Sequence, residues 1–385
     1  MHIRIEGGQA LVGGRFEETT IDVTSEDDGR VIALGSAGHA TRRLCADGLL
    51  VLPGIVDIHG DAFERQVMPR PGVGFPIEIA LFESDRQAVA NGITTLFHGV
   101  TWSWEPGLRG AESAREMAAA IERLRPRLTA DTRLHLRHET YNVDAEDEIV
   151  DWLSRRRIDV LAFNDHMSAT VKDMKRPEKR EQMVQRSGLT RAEFDRLVDE
   201  VQRRADDVPG SIDRLAAAGR SNGVPLLSHD DDSPDQRRRF RSLGSRISEF
   251  PTNMETAEDA AAAGDFTVFG APNVVRGGSH TGWTNAADMV SRGLCSILAS
   301  DYYYPAPLLA AFRLSAKGVL PLERAWGLIS EAPARAVGLQ DRGNIAIGQR
   351  ADIVLIDAQN MGRPHVVAAM IAGRLVYLSD AARLR

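Results

Sequence analysis

The stretch Leu49-Leu50-Val51-Leu52-Pro53-Gly54-Ile55-Val56-Asp57-Ile58-His59-Gly60-Asp61 decides how this chain is read. Branched aliphatics dominate it and Pro53-Gly54 breaks it, the pattern of a buried strand flanked by turn chemistry. Side chains on a strand alternate faces with period two, so His59 and Asp61 point the same way. Both can then reach one cation beyond the strand's C-terminal end. A surface turn with two polar residues would look the same in isolation. How the other strands end separates the two readings.

Strand-like runs alternate with helical stretches through the middle of the chain: Leu52–Ile58, Ile93–Phe97, Arg133–Arg137, Val160–Asn164, Pro225–Ser228, Ile247–Phe250, Thr267–Phe269 and Cys295–Ser300. Eight such runs across about 250 residues predict an α/β fold of the TIM-type (β/α)8 barrel kind, with a doubly wound sheet as the alternative. Short β-like runs at the start (His2–Ile5, Thr19–Val23, Arg30–Leu34) resemble the tail's Ala351–Ile356 and Arg374–Tyr377. The two ends are therefore expected to join into one small β-sandwich, residues 1–50 plus 345–385, bracketing a barrel of residues 51–344. Within the barrel, 171–220 is dense in Lys, Arg, Asp and Glu and reads as a helical insertion with a solvated charged face. A basic lid over an anionic substrate is the sharper alternative for that segment.

A barrel enzyme builds its site on the C-terminal face of the strands. The first strand ends in His59 and Asp61, the second in His98, the third in His138-Glu139. The fourth ends in Asp165-His166, the fifth in His229-Asp230-Asp231-Asp232 and the last in Asp301. Imidazole nitrogens and carboxylate oxygens suit one or two divalent ions, with zinc expected and manganese or iron as alternatives. Two neighbouring ions need a bridging carboxylate, for which Glu139 is the candidate. Asp301, after the apolar run Ile297-Leu298-Ala299, is placed to take the proton of a water; its bland reading is a helix cap. In Gly270–His280, Arg276 can clamp a phosphate, Gly277-Gly278 can offer backbone N–H groups, and His280 can touch substrate. Arg65 and Arg70 follow the first pair closely, either as further cations or as surface charge. Trp102 and Trp104 either wall the pocket or pack under a loop.

The 385-residue chain is ordinary for a globular enzyme, with 43% hydrophobic and 26% charged residues. A formal charge of −7 argues against nucleic acid or an anionic membrane as a bulk partner, while leaving room for a small anionic phosphorylated substrate. Two cysteines, Cys45 and Cys295, are too few for a disulfide framework or thiolate cluster. The opening Met1–Gly7 lacks the charged and apolar regions of a secretion signal, so a cytoplasmic enzyme is expected. Homo-oligomerisation is compatible with this reading.

Taken together, the Pro-Gly strand with His-x-Asp and the tail Gly343–Val354 resemble the amidohydrolase superfamily. Further runs resemble its α-D-ribose 1-methylphosphonate 5-triphosphate diphosphatases of carbon–phosphorus lyase pathways. These are Met68–Pro71, His135–Glu139, Ser228–Asp231, Glu249–Thr252, Gly270–His280 and Ser300–Tyr303. The resemblance implies a metal-dependent barrel that hydrolyses the triphosphate to the 5-phosphate and pyrophosphate. It implies a metal shell of His59, Asp61, Glu139, His166, His229 and Asp301, with Asp301 also the general base. His166 and His229 fall one strand earlier than in the usual superfamily scheme. The chain departs from the family where His59-Gly60-Asp61-Ala62 replaces His-Thr-Asp-Asn and where Asp165-His166-Met167-Ser168-Ala169-Thr170 replaces Asp-His-Ser-Pro-Gly-Gln. Those changes keep an alternative open: a deacylase or deaminase acting on an amide or cyclic amidine. A metal-binding protein without catalysis is the reading from a different class.

Overall fold

The computed structural model describes residues 2–26, 28–35, 40–70, 72–278 and 284–385. Its centre is a sheet of eight parallel strands in sequential order: β1 (Ile55–Gly60), β2 (Ile93–Trp102), β3 (Asp131–Glu139), β4 (Val160–Asn164), β5 (Leu226–His229), β6 (Ile247–Glu249), β7 (Phe266–Gly270) and β8 (Ile297–Ala299). The sheet curls until its edges meet. Asp301 N–H donates to the His59 carbonyl at 2.9 Å, and Asp61 N–H to the Asp301 carbonyl at 3.0 Å. Eight parallel strands thus form a nearly closed TIM-type barrel.

Alternation explains how the sequence fills it. Val56, Ile58, Phe97, Val160, Ala162, Leu227, Ile247, Val268, Ile297 and Ala299 form the apolar floor inside. Leu134, Leu136, Leu161 and Leu226 face outward into the helical layer. Because a strand repeats every two residues, the positions two beyond the floor rise to the mouth. Phe97 leads to Gly99, Ala162 to Asn164, Leu227 to His229, Ile247 to Glu249, Val268 to Gly270 and Ala299 to Asp301. In β1 the register shifts between Asp57 and Gly60, and His59 joins the same layer through that irregularity.

Three expectations are corrected. The run Leu49–Ile58 is two strands, not one: Leu50–Pro53 belongs to a different sheet and β1 starts at Ile55. The switch needs Gly54, where a Cβ would lie 2.3 Å from Thr94 Oγ1. The second strand continues past Phe97 to Trp102, so His98 is mid-strand and faces outward, its ring edge-on to Phe63 at 5.3 Å. The separate helical unit is Met167–Met174, Pro177–Ser187 and Arg191–Gln202, with its own core of Met183, Val184, Phe194 and Val198. Val208–Ser221, assigned to that insertion from its charge, instead buries Ile212, Leu215 and Ala216 in the layer around the barrel.

The chain ends share one six-stranded sheet: Arg374–Leu378, His365–Ile371, Ile353–Asp357, Leu50–Pro53, Gln9–Val12 and Arg15–Glu18. A four-stranded sheet of N-terminal strands packs with it through Ile3, Ile5, Val23, Val51, Leu355 and Met370. Among the described residues, no helix is long and apolar enough to cross a membrane.

Candidate active site

The mouth layer gathers six strand ends around a cavity of about 240 Å³ lined by His59, Asp61, Arg137, His229 and Asp301 among others. Three groupings within it have donor atoms close enough to share one ion: His59 with Asp61 and Asp301, His59 with His229 and Glu249, and His166 with His229 and Asp230. Glu139 stands one partner away, its Oε1 2.6 Å from His166 Nδ1. His98 is in none of these groupings, as its outward face dictates.

Whether such a set wants a cation can be judged from its polar atoms. His59 Nδ1 and Glu249 Oε1 lie 2.8 Å apart, both fully buried. Neither they, nor His135 Nε2 or Glu249 Oε2, make a hydrogen bond among the described residues. Unpaired polar atoms at that depth are costly, and imidazoles facing carboxylates are the donor set a divalent ion takes. The residues fit a metal.

For His59 and His135, protonation is consistent with that. Burial, reinforced by Arg137, holds His59 well below the ordinary imidazole range. Burial pushes His135 down to about 3. Its Nδ1 is 2.9 Å from the Ile58 carbonyl, which only accepts, so Nδ1 carries the proton and Nε2 turns a lone pair toward Glu249. Burial also opposes charge on His166, but Glu139 and Asp230 more than offset it and push His166 up to about 10. Burial raises Asp230 and Glu139 too, yet their histidine partners hold both below their ordinary values. Asp301 is pushed up to about 7, first by burial and then by neighbouring Asp61.

Backbone strain marks the same rim. Asp230, Phe250 and Asp301 follow the ends of β5, β6 and β8 with φ of 58°, 56° and 54°. Non-glycine residues seldom adopt this left-handed region, and such strain concentrates at functional sites. Asp301 is not a helix cap: Ala306–Ala316 begins at Pro305 with no side-chain cap bond.

The remaining candidates are placed as follows. Arg276 ends the short helix Ala271–Arg276, and its Nη1 donates to Tyr302 Oη at 3.4 Å. Arg65 lies over the Tyr302 ring, 5.5 Å from its centroid. Two candidate phosphate-binding arginines thus converge on one tyrosine that lines the cavity. Arg70 sits on an exposed turn whose backbone pairs with Val73. The N–H groups of Gly277 and Gly278 both donate to the Asn273 carbonyl at 3.1 Å. They close the helix end and are not offered to an anion, which corrects the expected nest. His280 lies outside the described residues.

Three residues escaped the sequence reading: Glu249, His135 and Arg137. The Arg137 guanidinium bridges His229 Nε2 at 3.1 Å and Asp61 Oδ2 at 3.4 Å. The signal was present, since His135, Arg137 and Glu139 share one face by period two, whereas His138 points outward. Glu249 likewise stands two residues after the interior Ile247. Asp231, counted among the strand-end carboxylates, serves structure instead: it accepts from Ser228, Ser248 and the buried Arg237.

This barrel with histidines and carboxylates at its mouth defines a metal-dependent hydrolase, and the sequence pattern of the Amidohydrolase family matches residues 86–377. The chain belongs to that family. It is 35% identical over 316 residues to α-D-ribose 1-methylphosphonate 5-triphosphate diphosphatase of Escherichia coli (strain K12), covering 80% of this chain and 83% of the relative. Its fold is similar to D-hydantoinase from Bacillus sp. AR9 (TM-score 0.64, 15% identity, 98% of this chain and 95% of that one). It is also similar to dihydropyrimidinase from Brevibacillus agri (TM-score 0.60, 16% identity, 98% and 95%).

Proposed function

We propose that this hydrolase releases pyrophosphate from α-D-ribose 1-methylphosphonate 5-triphosphate in phosphonate catabolism. The diphosphatase relative supports the substrate. The observation that carries the phosphate chemistry is the convergence of Arg65 and Arg276 on Tyr302 at the cavity that also holds His59, Asp61 and Asp301.

In this reading His59, Asp61, Glu139, His166, His229 and Asp301 hold one or two divalent ions, zinc by preference. Such an ion supplies Lewis acidity to the phosphoryl group and lowers the pKa of water. Asp301 takes the proton from the attacking water as the new P–O bond forms. Gly270 leaves that carboxylate room, since a Cβ there would lie 3.2 Å from Asp301 Oδ2. The P–O bond to the leaving pyrophosphate breaks, so one water is consumed and two phosphate products result. Arg137, fixed between Asp61 and His229, neutralises charge growing on the phosphoryl oxygens, and Arg276 and Arg65 bind the outer phosphates. The two sheets at the chain ends form, in the same reading, a composite sandwich domain of residues 1–50 and 345–385 beside a barrel domain of 51–344, in a cytoplasmic enzyme.

The test is pyrophosphate release from this triphosphate by protein of known metal content. Release that disappears on chelation and returns with metal supports the reading. Metal-replete protein that releases none overturns it. An amide or cyclic amidine hydrolysed equally well by Arg276→Ala would move the assignment to the amidase alternative.

A further inference from the structure

A second cavity of about 270 Å³ lies beside the first and shares Glu139 and His166 with the metal-binding cluster. That is far more space than a single water requires. Its inner wall is the extended end of β2, where Thr101 faces inward two residues after Gly99. Its outer wall is the helical insertion, through Thr170 and Gln182, and Trp104 contributes an aromatic side. The Thr101 hydroxyl is buried, with the residue 6% exposed, and has no hydrogen-bond partner among the described residues. An orphaned hydroxyl aimed into a polar cavity points to a ligand that supplies the missing bond.

The cavity's charge excludes a phosphate as that ligand. Arg109 is committed to Glu64 through two bonds of 3.0 and 2.9 Å. His166 is held between Glu139 and Asp230, and Lys179 shares the lining with Asp173 and Glu105. What is left is hydroxyl, amide and carboxylate groups beside an indole, a lining that hydrogen-bonds hydroxyls and packs against the apolar face of a sugar ring.

We propose that this chamber binds the hydroxylated, non-reacting sugar part of the substrate, with the helical insertion as its outer wall. The assignment rests on the triphosphate reading for the position of the reacting end, but not for the sugar contact itself. The insertion then selects among phosphate anhydrides by what they carry at the far end, while the barrel mouth performs the chemistry.

Two measurements separate the claims. Calorimetric titration of metal-replete protein with ribose 5-phosphate reads sugar binding without turnover. Thr101→Val, which keeps the side-chain shape, and Gln182→Ala, on the insertion, should each weaken it three- to tenfold, the cost of one neutral hydrogen bond. Hydrolysis of ribose 5-triphosphate and of inorganic triphosphate reads selectivity: the ratio of their kcat/KM values should fall by the same factor in both variants. No measurable ribose 5-phosphate binding by the parent protein, or equal binding by parent and both variants, overturns the chamber. Variant-sensitive ribose 5-phosphate binding without hydrolysis of either triphosphate keeps the chamber and overturns the triphosphate reading.

Discussion

Replacing Glu249 by Gln tests whether the interior of this barrel is organised around a metal. Glu249 is fully buried and faces three imidazoles, 2.8 Å from His59 Nδ1 and 3.9 Å from both His135 Nε2 and His229 Nε2. The substitution keeps the volume and removes the charge. Groups that touch a metal ligand typically contribute 10- to 100-fold to affinity, or about 1.4–2.7 kcal/mol. At saturating metal the variant loses that much linked stabilisation. With an unfolding entropy of about 2.1 cal/mol/K per residue, the metal-induced rise in Tm of the 385-residue chain shrinks by about 2–3 °C. The metal-free proteins should order the other way, because a carboxyl group buried without hydrogen bonds is destabilising and Gln relieves it. Scanning calorimetry with and without zinc, paired with retention of metal against a competing chelator, reads both signs. Unchanged metal affinity together with a metal-free variant that melts lower than the parent would refute the reasoning. Glu249 would then be an ordinary structural partner of protonated histidines.

Four further outcomes are expected. Asp301→Asn should abolish most turnover while metal content stays near the parent's; full activity would remove Asp301 from the mechanism. Arg137→Gln should lower kcat by about 10²–10³, the usual cost of one fixed donor to a developing oxyanion, and a change confined to KM would make it a binding residue only. Arg276→Ala should raise KM for a triphosphate several-fold with kcat little changed, and the effect should shrink in high salt because the side chain is exposed. At the opposite end of the barrel, Arg133, Arg342 and Arg350 surround Asp131; burial raises its pKa, but these cations more than offset it and hold the carboxyl below its ordinary value. A depressed folded pKa contributes stability that is complete above the unfolded value of about 3.9 and fades as pH falls below it. Asp131→Asn should therefore cost about 3 kcal/mol in urea unfolding at pH 7, and the gap to the parent should narrow once the pH drops below 4.

Much of the barrel was legible because parallel strands are buried on both faces and read as short apolar runs. All eight expected runs overlap the strands observed. The errors came where one local pattern serves two structures. Leu49–Ile58 is evenly apolar, yet a glycine too crowded for any side chain sends its halves into different sheets. The helix Val208–Ser221 has a polar outer face like the insertion before it, and only its contacts assign it to the barrel wall. The Gly277-Gly278 pair reads equally well as a nest or as a helix end, and the bonds to Asn273 decide.

The site divides along the same line. The sequence by itself determined which chemistry is present, imidazoles and carboxylates at strand ends, because those identities and their period-two spacing are local. It also determined that His135, Arg137 and Glu139 share a face. Which of its ten histidines meet was a tertiary decision. His98 and His59 both follow apolar runs, but the register shift in β1 turns His59 inward while unbroken alternation in β2 turns His98 out. Glu249 becomes the carboxylate of the interior only because closure of the barrel brings β6 opposite β1. Facing and convergence are set by strand register and by that closure, neither of which is written in any one stretch of the chain.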